Sequence, residues 1–199
     1  HREHETFIWS RGEEMVNEQF PELMNQFDTL NADFVIDGEI VPYDEFGVMN
    51  FNQLQRRLNR KNIGKKLMEE VPIKFIAFDL LEIDREDIRH LPLSQRRERL
   101  SQLLQSIDSP NFIISKEIKV KNWEELKDIR ENSGTINAEG LMLKAKDSEY
   151  QVGRKKGYWW KWKVDPMTID AVLIYAQRGS GRRSGHYTDY SFAVKDGDK

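Results

Sequence analysis

The sequence predicts an α+β protein whose sheets are mainly antiparallel. Two observations carry this. Helix-period and period-two segments alternate irregularly, without the regular βαβ order of a parallel sheet. After Pro166 the mixture gives way to strands alone, which marks a domain boundary there, between residues 1–166 and 167–199. With 38% apolar residues among 199, the chain can bury a real core, while the last 33 residues are too few for an independent domain. The absence of cysteine excludes disulfides and thiolate zinc sites. No apolar run approaches the roughly 20 residues of a membrane span, so no membrane partner is expected.

Taken in order, Thr6–Trp9 reads as a short strand and Ser10–Gly12 as a turn. Residues 13–30 read as a helix in two pieces broken at Pro21, with Leu23, Phe27 and Leu30 on one face. Phe34–Val41 is a strand entering a turn near Asp44–Gly47. Its alternation puts Val35, Asp37, Glu39 and Val41 on one face. Two neighbouring carboxylates either face water or have a cation or donor beside them. Phe51, Leu54 and Leu58 form the apolar side of a short helix, leaving Arg56, Arg57 and Arg60 outside. Residues 74–83 are the most apolar strand and the expected centre of the sheet, where a buried Asp79 needs partners.

A helix over 92–107 follows, with Pro92 in its first turn and Leu100, Leu103, Leu104 and Ile107 inward. Phe112–Ser115 is a strand. Asn122 caps a further helix whose stripe is Trp123, Leu126 and Ile129, ending before Gly134. Residues 138–144 and 159–163 are two strands joined by a basic loop, 146–157. Thr168–Ala176 and Tyr187–Val194 are strands around a Gly/Ser/Arg loop.

Net charge is −3, which does not suggest nucleic acid, but the distribution does. Residues 1–50 carry twelve acids against two arginines, whereas 51–66 carry six basic residues and no acid. A second basic block spans 144–163, and Arg178, Arg182 and Arg183 form a third. Three such blocks point to a phosphate-binding face. Three groups of side chains could meet in a cleft: carboxylates (Glu39, Glu139 and Asp37), the lysine pair Lys161 and Lys163, and aromatic rings (Phe78 and the Trp cluster). Carboxylates hold a hard divalent cation, lysines neutralise phosphate, and a ring stacks on a base. Together they fit a nucleotide–metal site and phosphoryl or nucleotidyl transfer. Alternation sets Lys161 and Lys163 on one face, and Glu139 and Lys144 on opposite faces unless a bulge re-aims one.

These motifs, in this order, resemble the covalent nucleotidyltransferases, most closely the ATP-dependent DNA ligases of bacteria. SRGEE (10–14) with FPEL (20–23), VIDGEIV (35–41), FIAFDLL (75–81), AEGLMLK (138–144) and WWKWK (159–163) each match a segment of that family, and 170–196 resembles the entry to its oligonucleotide-binding (OB) domain. The resemblance implies an antiparallel-sheet nucleotidyltransferase (adenylation) domain over 1–166, followed by the first strands of an OB-fold over 167–199. It implies that Arg11 contacts nucleotide or nick phosphate, Glu39 the ribose, and that Phe78 stacks on adenine. Glu139 would serve the metal and the adenylate, with Glu39 as a further metal ligand, and Lys161 and Lys163 would hold phosphates. By charge, Arg56 and Arg57 would contact the DNA backbone. The implied cofactors are ATP, giving AMP, and Mg²⁺. The implied partner is nicked duplex DNA, handled by a cytoplasmic, nucleoid-associated monomer in repair, recombination or replication.

The family attacks ATP with a Lys in a KxDG motif, and residues 1–199 contain none. This stretch alone is therefore expected not to adenylate itself, and further domains are expected in the full-length protein. Alternatives are an RNA ligase, a capping-type nucleotidyltransferase, or a non-catalytic nucleic-acid-binding module.

Overall fold

The computed structural model describes the chain except residues 25, 28–31, 59, 61, 154, 166, 167, 196, 198 and 199. It divides into two compact units, His1–Val164 and Asp165–Lys199. The expectations placed on Leu30, Pro166 and Asp196 lie outside the described residues.

The first unit opens with a looped hairpin where a strand was expected. Val16 N donates to Ile8 O at 2.9 Å and Ser10 N to Glu14 O at 2.8 Å, with Trp9 and Met15 paired as an isolated bridge rather than within a strand. The Asn17 side chain takes the remaining backbone groups, accepting from Ile8 N at 2.8 Å and donating to Thr6 O at 2.9 Å. A single amide thus replaces a neighbouring strand. The expected two-piece helix is also shorter: a 3₁₀ turn at Asn17–Gln19, then α1 (Pro21–Met24). Pro21 begins α1 rather than breaking a helix, because the missing N–H costs nothing at a first helical position.

The elements that follow are β1 (Phe34–Asp44), β2 (Gly47–Val48), α2 (Phe51–Leu58), α3 (Lys65–Glu70), β3 (Ile73–Ile83), β4 (Glu86–Asp87), α4 (Leu93–Ile107), β5 (Phe112–Ile114), α5 (Trp123–Glu131), β6 (Gly140–Lys144) and β7 (Trp159–Lys163). One sheet runs β2-β1-β3-β4, with β5 beside β3; β6 and β7 pair separately. β3 is central, as its apolar sequence requires. Among the described residues every strand pairing of this unit is antiparallel except β3–β5, a parallel contact the sequence did not signal. α4 leads directly into β5, so the chain returns along β3 in the same direction.

The core gathers Phe20, Leu23, Phe34, Ala77, Leu80 and Leu100 between the sheet and the helices. Two register shifts interrupt β1–β3, at Val35/Ile36 and at Asp37/Gly38. Strict alternation therefore fails along both strands. Asp37 pairs with Asp79 and Gly38 with Ala77, which leaves Phe78 as the extra residue of a bulge. A Cβ at Gly38 would lie 2.3 Å from Phe75 Cε1, so only glycine lets the Phe75 ring cross β1 there.

Helix α2 is turned relative to expectation. Leu54 and Arg57 are buried, while Phe51 is 59% and Leu58 40% exposed. Arg57 is drawn inward by Glu22, 2.6 Å from its Nη2, and its guanidinium lies 5.7 Å from the centre of the Phe20 ring. In α5, Asn122 Oδ1 caps Glu125 N at 2.9 Å. The Glu125 carboxylate reaches Lys121 N rather than the cap residue. Leu126 and Ile129 are half-buried, but Trp123 is 66% exposed, meeting the Trp162 ring edge-on.

The second unit is an antiparallel pair, β8 (Ala171–Arg178) and β9 (Tyr187–Val194), joined through a 3₁₀ turn at Gly181–Arg183. β8 begins three residues later than the sequence suggested. Among the described residues, no helix is long and apolar enough to cross a membrane.

Candidate nucleotide site

The β6–β7 pair builds the site. Its register sets Gly140 opposite Lys163, Met142 opposite Lys161 and Lys144 opposite Trp159. Those positions share one face, so Lys144, Lys161 and Lys163 lie along it from one end to the other. Trp159 and Lys163 are four residue steps apart, roughly 14 Å at 3.4 Å per residue.

Glu139 stands just before β6 and escapes its alternation. Gly140 has φ +137°, and a Cβ there would be 2.4 Å from Trp162 O and 2.7 Å from Lys163 Cα. Only glycine allows so close a crossing. The turn brings the Glu139 carboxylate to Lys163, with Nζ donating to Oε2 at 2.5 Å, and Val164 N donates to Glu139 O at 3.0 Å. The Lys163 hydrogen bond, then its charge, holds the Glu139 carboxyl below the usual glutamate range.

At the opposite end, the Lys144 ammonium lies 3.8 Å from the centre of the Trp159 ring and 4.3 Å from that of Phe78. Burial lowers its pKa to about 8, opposed by Asp79 and Asp37 and reinforced by Arg97 and Arg96. In the sequence Lys144 opens a basic block and closes the AEGLMLK segment, and nothing there assigns it a role. The signal that could have found it is its register opposite Trp159, legible once the two strands are paired.

Asp37 accepts from Tyr150 Oη at 2.7 Å. Burial first, then this hydrogen bond, pushes the Tyr150 phenol above its ordinary value. Asp79 is fully buried against Arg96, the partner its position required. Glu39 is exposed on β1, and Arg11 is exposed in the opening turn.

The structure therefore joins Glu139 to Lys163, sets Lys161 on the same face, and joins Phe78 to Lys144 and Trp159. Arg57 is corrected: a buried side chain facing Glu22 presents nothing to a DNA backbone. Arg56 is accessible but tied to Glu70 and to Gln53 at 2.8 Å. In the basic loop, Lys146 is held by Glu117 at 2.6 Å. Of the tryptophans alternating with the lysines, Trp162 packs under Arg130 at 5.0 Å, whereas Trp160 is exposed. Among the described residues, no group of three or more His, Cys, Asp or Glu side chains is arranged to hold a metal.

By fold the chain resembles solved DNA ligases. It superposes on mycobacterial DNA ligase D, solved with ATP and MES, with TM-score 0.63 and 24% identity over 95% of this chain and 55% of that one. A Lig E DNA ligase gives TM-score 0.66 and 17% identity over 95% of this chain and 67% of that one. The chain belongs to the ATP dependent DNA ligase domain family, whose model matches residues 1–163. A DNA ligase of Natronomonas pharaonis is 35% identical over 179 residues, covering 89% of this chain and 32% of that protein. The chain spans about a third of the length of the curated relatives it matches. Those relatives are mostly archaeal, so the family likeness is not confined to the bacterial enzymes.

Proposed function

We propose that this chain is the nucleotide-handling part of an ATP-dependent DNA ligase that seals nicks in duplex DNA through enzyme-adenylate and DNA-adenylate intermediates. The observation that carries this reading is the shared face of β6 and β7. One end bears Glu139, Lys163 and Lys161, and the other bears Lys144 and Trp159 against Phe78. Phosphates belong at the lysine end and the base at the aromatic end. Lys163 is held by Glu139 in the absence of substrate, and its ammonium passes from that carboxylate to the arriving phosphate. Lys161 and Lys163 neutralise charge developing on the transferred phosphoryl group. Glu39 binds the ribose, and Arg11 meets nucleotide or nick phosphate.

Mg²⁺ fits this donor set. It takes one or two carboxylates together with substrate phosphates and water, so Glu139, exposed beside the lysine end, would hold it with the phosphates, and Glu39 would be a further ligand. When bound, it would act as a Lewis acid on phosphoryl oxygen. Arg56, rather than Arg57, is the basic residue of α2 accessible to a DNA backbone. A monomeric, cytoplasmic enzyme acting in repair, recombination or replication accords with this reading.

The test is nick sealing by the intact enzyme that carries this chain, with ATP, on DNA and RNA duplexes. Sealing of nicked DNA is expected, reduced about a hundredfold or more by Lys161→Ala. Unaltered sealing in that variant overturns the assignment of the phosphate end, and preference for nicked RNA overturns the substrate.

A further inference from the structure

Phe78 and Asp79 are consecutive residues at the bulge in β3, and Arg96 and Arg97 are consecutive residues of α4 that grip them. Arg96 holds the Asp79 carboxylate with Nε at 2.7 Å and Nη2 at 2.9 Å. Arg97 Nη1 donates to Phe78 O at 3.2 Å and to Ser115 Oγ at 3.0 Å, and its Nη2 donates to Ser115 O at 2.5 Å. Ser115 N in turn donates to Ala77 O at 2.8 Å, so the end of β5 is sewn to the residue just before the bulge.

A bulged residue has no opposite number across the ladder, and its direction is set by whatever else binds its backbone. Here that partner is a planar guanidinium anchored at a second strand. It makes three hydrogen bonds in a fixed fork, which a flexible ammonium does not reproduce. The side chain so aimed is the ring that carries the Lys144 ammonium at 4.3 Å. Arg97 also lies near enough to help lower the Lys144 pKa.

We propose that Arg97 is a positioning residue for the nucleotide base: by binding the Phe78 carbonyl and Ser115 together, it fixes the bulge and so the pose of the Phe78 ring. The inference rests on the reading of Phe78 as the base platform. Arg97 touches no reacting atom, and its effect reaches the nucleotide through Phe78.

The experiment measures the KM for ATP and the maximal self-adenylation rate of the intact enzyme in four forms: wild type, Phe78→Ala, Arg97→Met and the double variant. All are assayed well below their melting temperatures, with Arg97→Lys alongside. Arg97→Met is expected to raise the KM about tenfold with little change in maximal rate, because a misplaced platform weakens binding rather than chemistry. Arg97→Lys restores part of the loss. In the Phe78→Ala background, Arg97→Met is expected to change the KM less than about twofold, the non-additivity of two residues acting through one contact. A full effect of Arg97→Met without Phe78, or no effect with it, overturns the proposal. If Phe78→Ala itself leaves the KM unchanged, the platform reading fails, and that outcome is distinct from failure of Arg97 alone.

Discussion

Arg96 and Asp79 form a two-pronged ion pair with both side chains fully buried, at 2.7 and 2.9 Å. Arg96 also donates to the carbonyls of Leu91 and of Ser148, the latter at 2.9 Å, so one guanidinium ties β3, α4 and the segment after β6 together. Removing one partner strands the other charge in a low-dielectric interior. Arg96→Met is expected to lower the unfolding free energy by about 3–5 kcal/mol in urea denaturation. Replacing both partners, Asp79→Leu with Arg96→Met, is expected to cost less than the two single changes added together, because no lone charge remains.

Lys144 gives a pH signature of opposite sense to a stabilising lysine. Its folded pKa, about 8, lies below the ordinary 10.5. Between those values the unfolded chain binds the extra proton, so stability rises with pH across that window. Below pH 8 the ammonium is charged in both states, and its burial costs the fold about 1–2 kcal/mol after allowance for solvent and for the two aromatic rings. Lys144→Met is expected to stabilise the protein at neutral pH and to flatten the rise between pH 8 and 10.5. Urea midpoints measured across that range, in both proteins, check it. A steeper rise in the variant counts against the assignment.

Much of this fold was legible where local pattern decides structure. β1, β3, α4 and β9 follow from the period of their apolar residues, and the Asn122 cap formed as its residue type requires. Failures came where a distant residue decides. Arg57 carries the charge of a surface residue, but Glu22 on another element draws it inside. The expected strand near Thr6 lost its partner to the Asn17 amide, a contact no periodicity encodes. In the site, the residue types of Glu139, Lys161 and Lys163 were readable. The contact between Glu139 and Lys163 was not, because it depends on the positive φ of Gly140. Lys144 was missed because its meaning lies in a cross-strand neighbour and in a ring from another sheet.

Gly140 is accordingly the most sensitive backbone position in the site. Gly140→Ala places a methyl 2.4 Å from Trp162 O at a φ that L-residues rarely adopt. The variant is expected to lose about 2 kcal/mol or more of stability and to part β6 from β7 at this end. Amide exchange of Val164, whose N–H donates to Glu139 O at 3.0 Å, is expected to accelerate. Unchanged exchange there counts against the close crossing as the reason for glycine.

The Glu139–Lys163 contact can be read without any activity assay. Because the folded carboxyl pKa is lowered, the contact is complete above the ordinary glutamate range and is lost only as pH falls through the depressed value. A carboxyl NMR titration of Glu139 is expected to show a midpoint below that of an unpaired glutamate. In Lys163→Ala it should return toward the ordinary value, since the hydrogen bond and the charge of Lys163 are the two largest causes of the shift. Lys163→Arg separates holding from transfer. A guanidinium grips a carboxylate bidentately, so the titration should stay depressed, whereas a lysine remains a point charge free to move to an arriving phosphate. That variant is expected to keep the low Glu139 midpoint and yet, placed in the intact enzyme that carries this chain, to lose most of the self-adenylation rate expected under the proposed function. A variant with a normal rate shows that release of Lys163 from Glu139 is not part of phosphate binding.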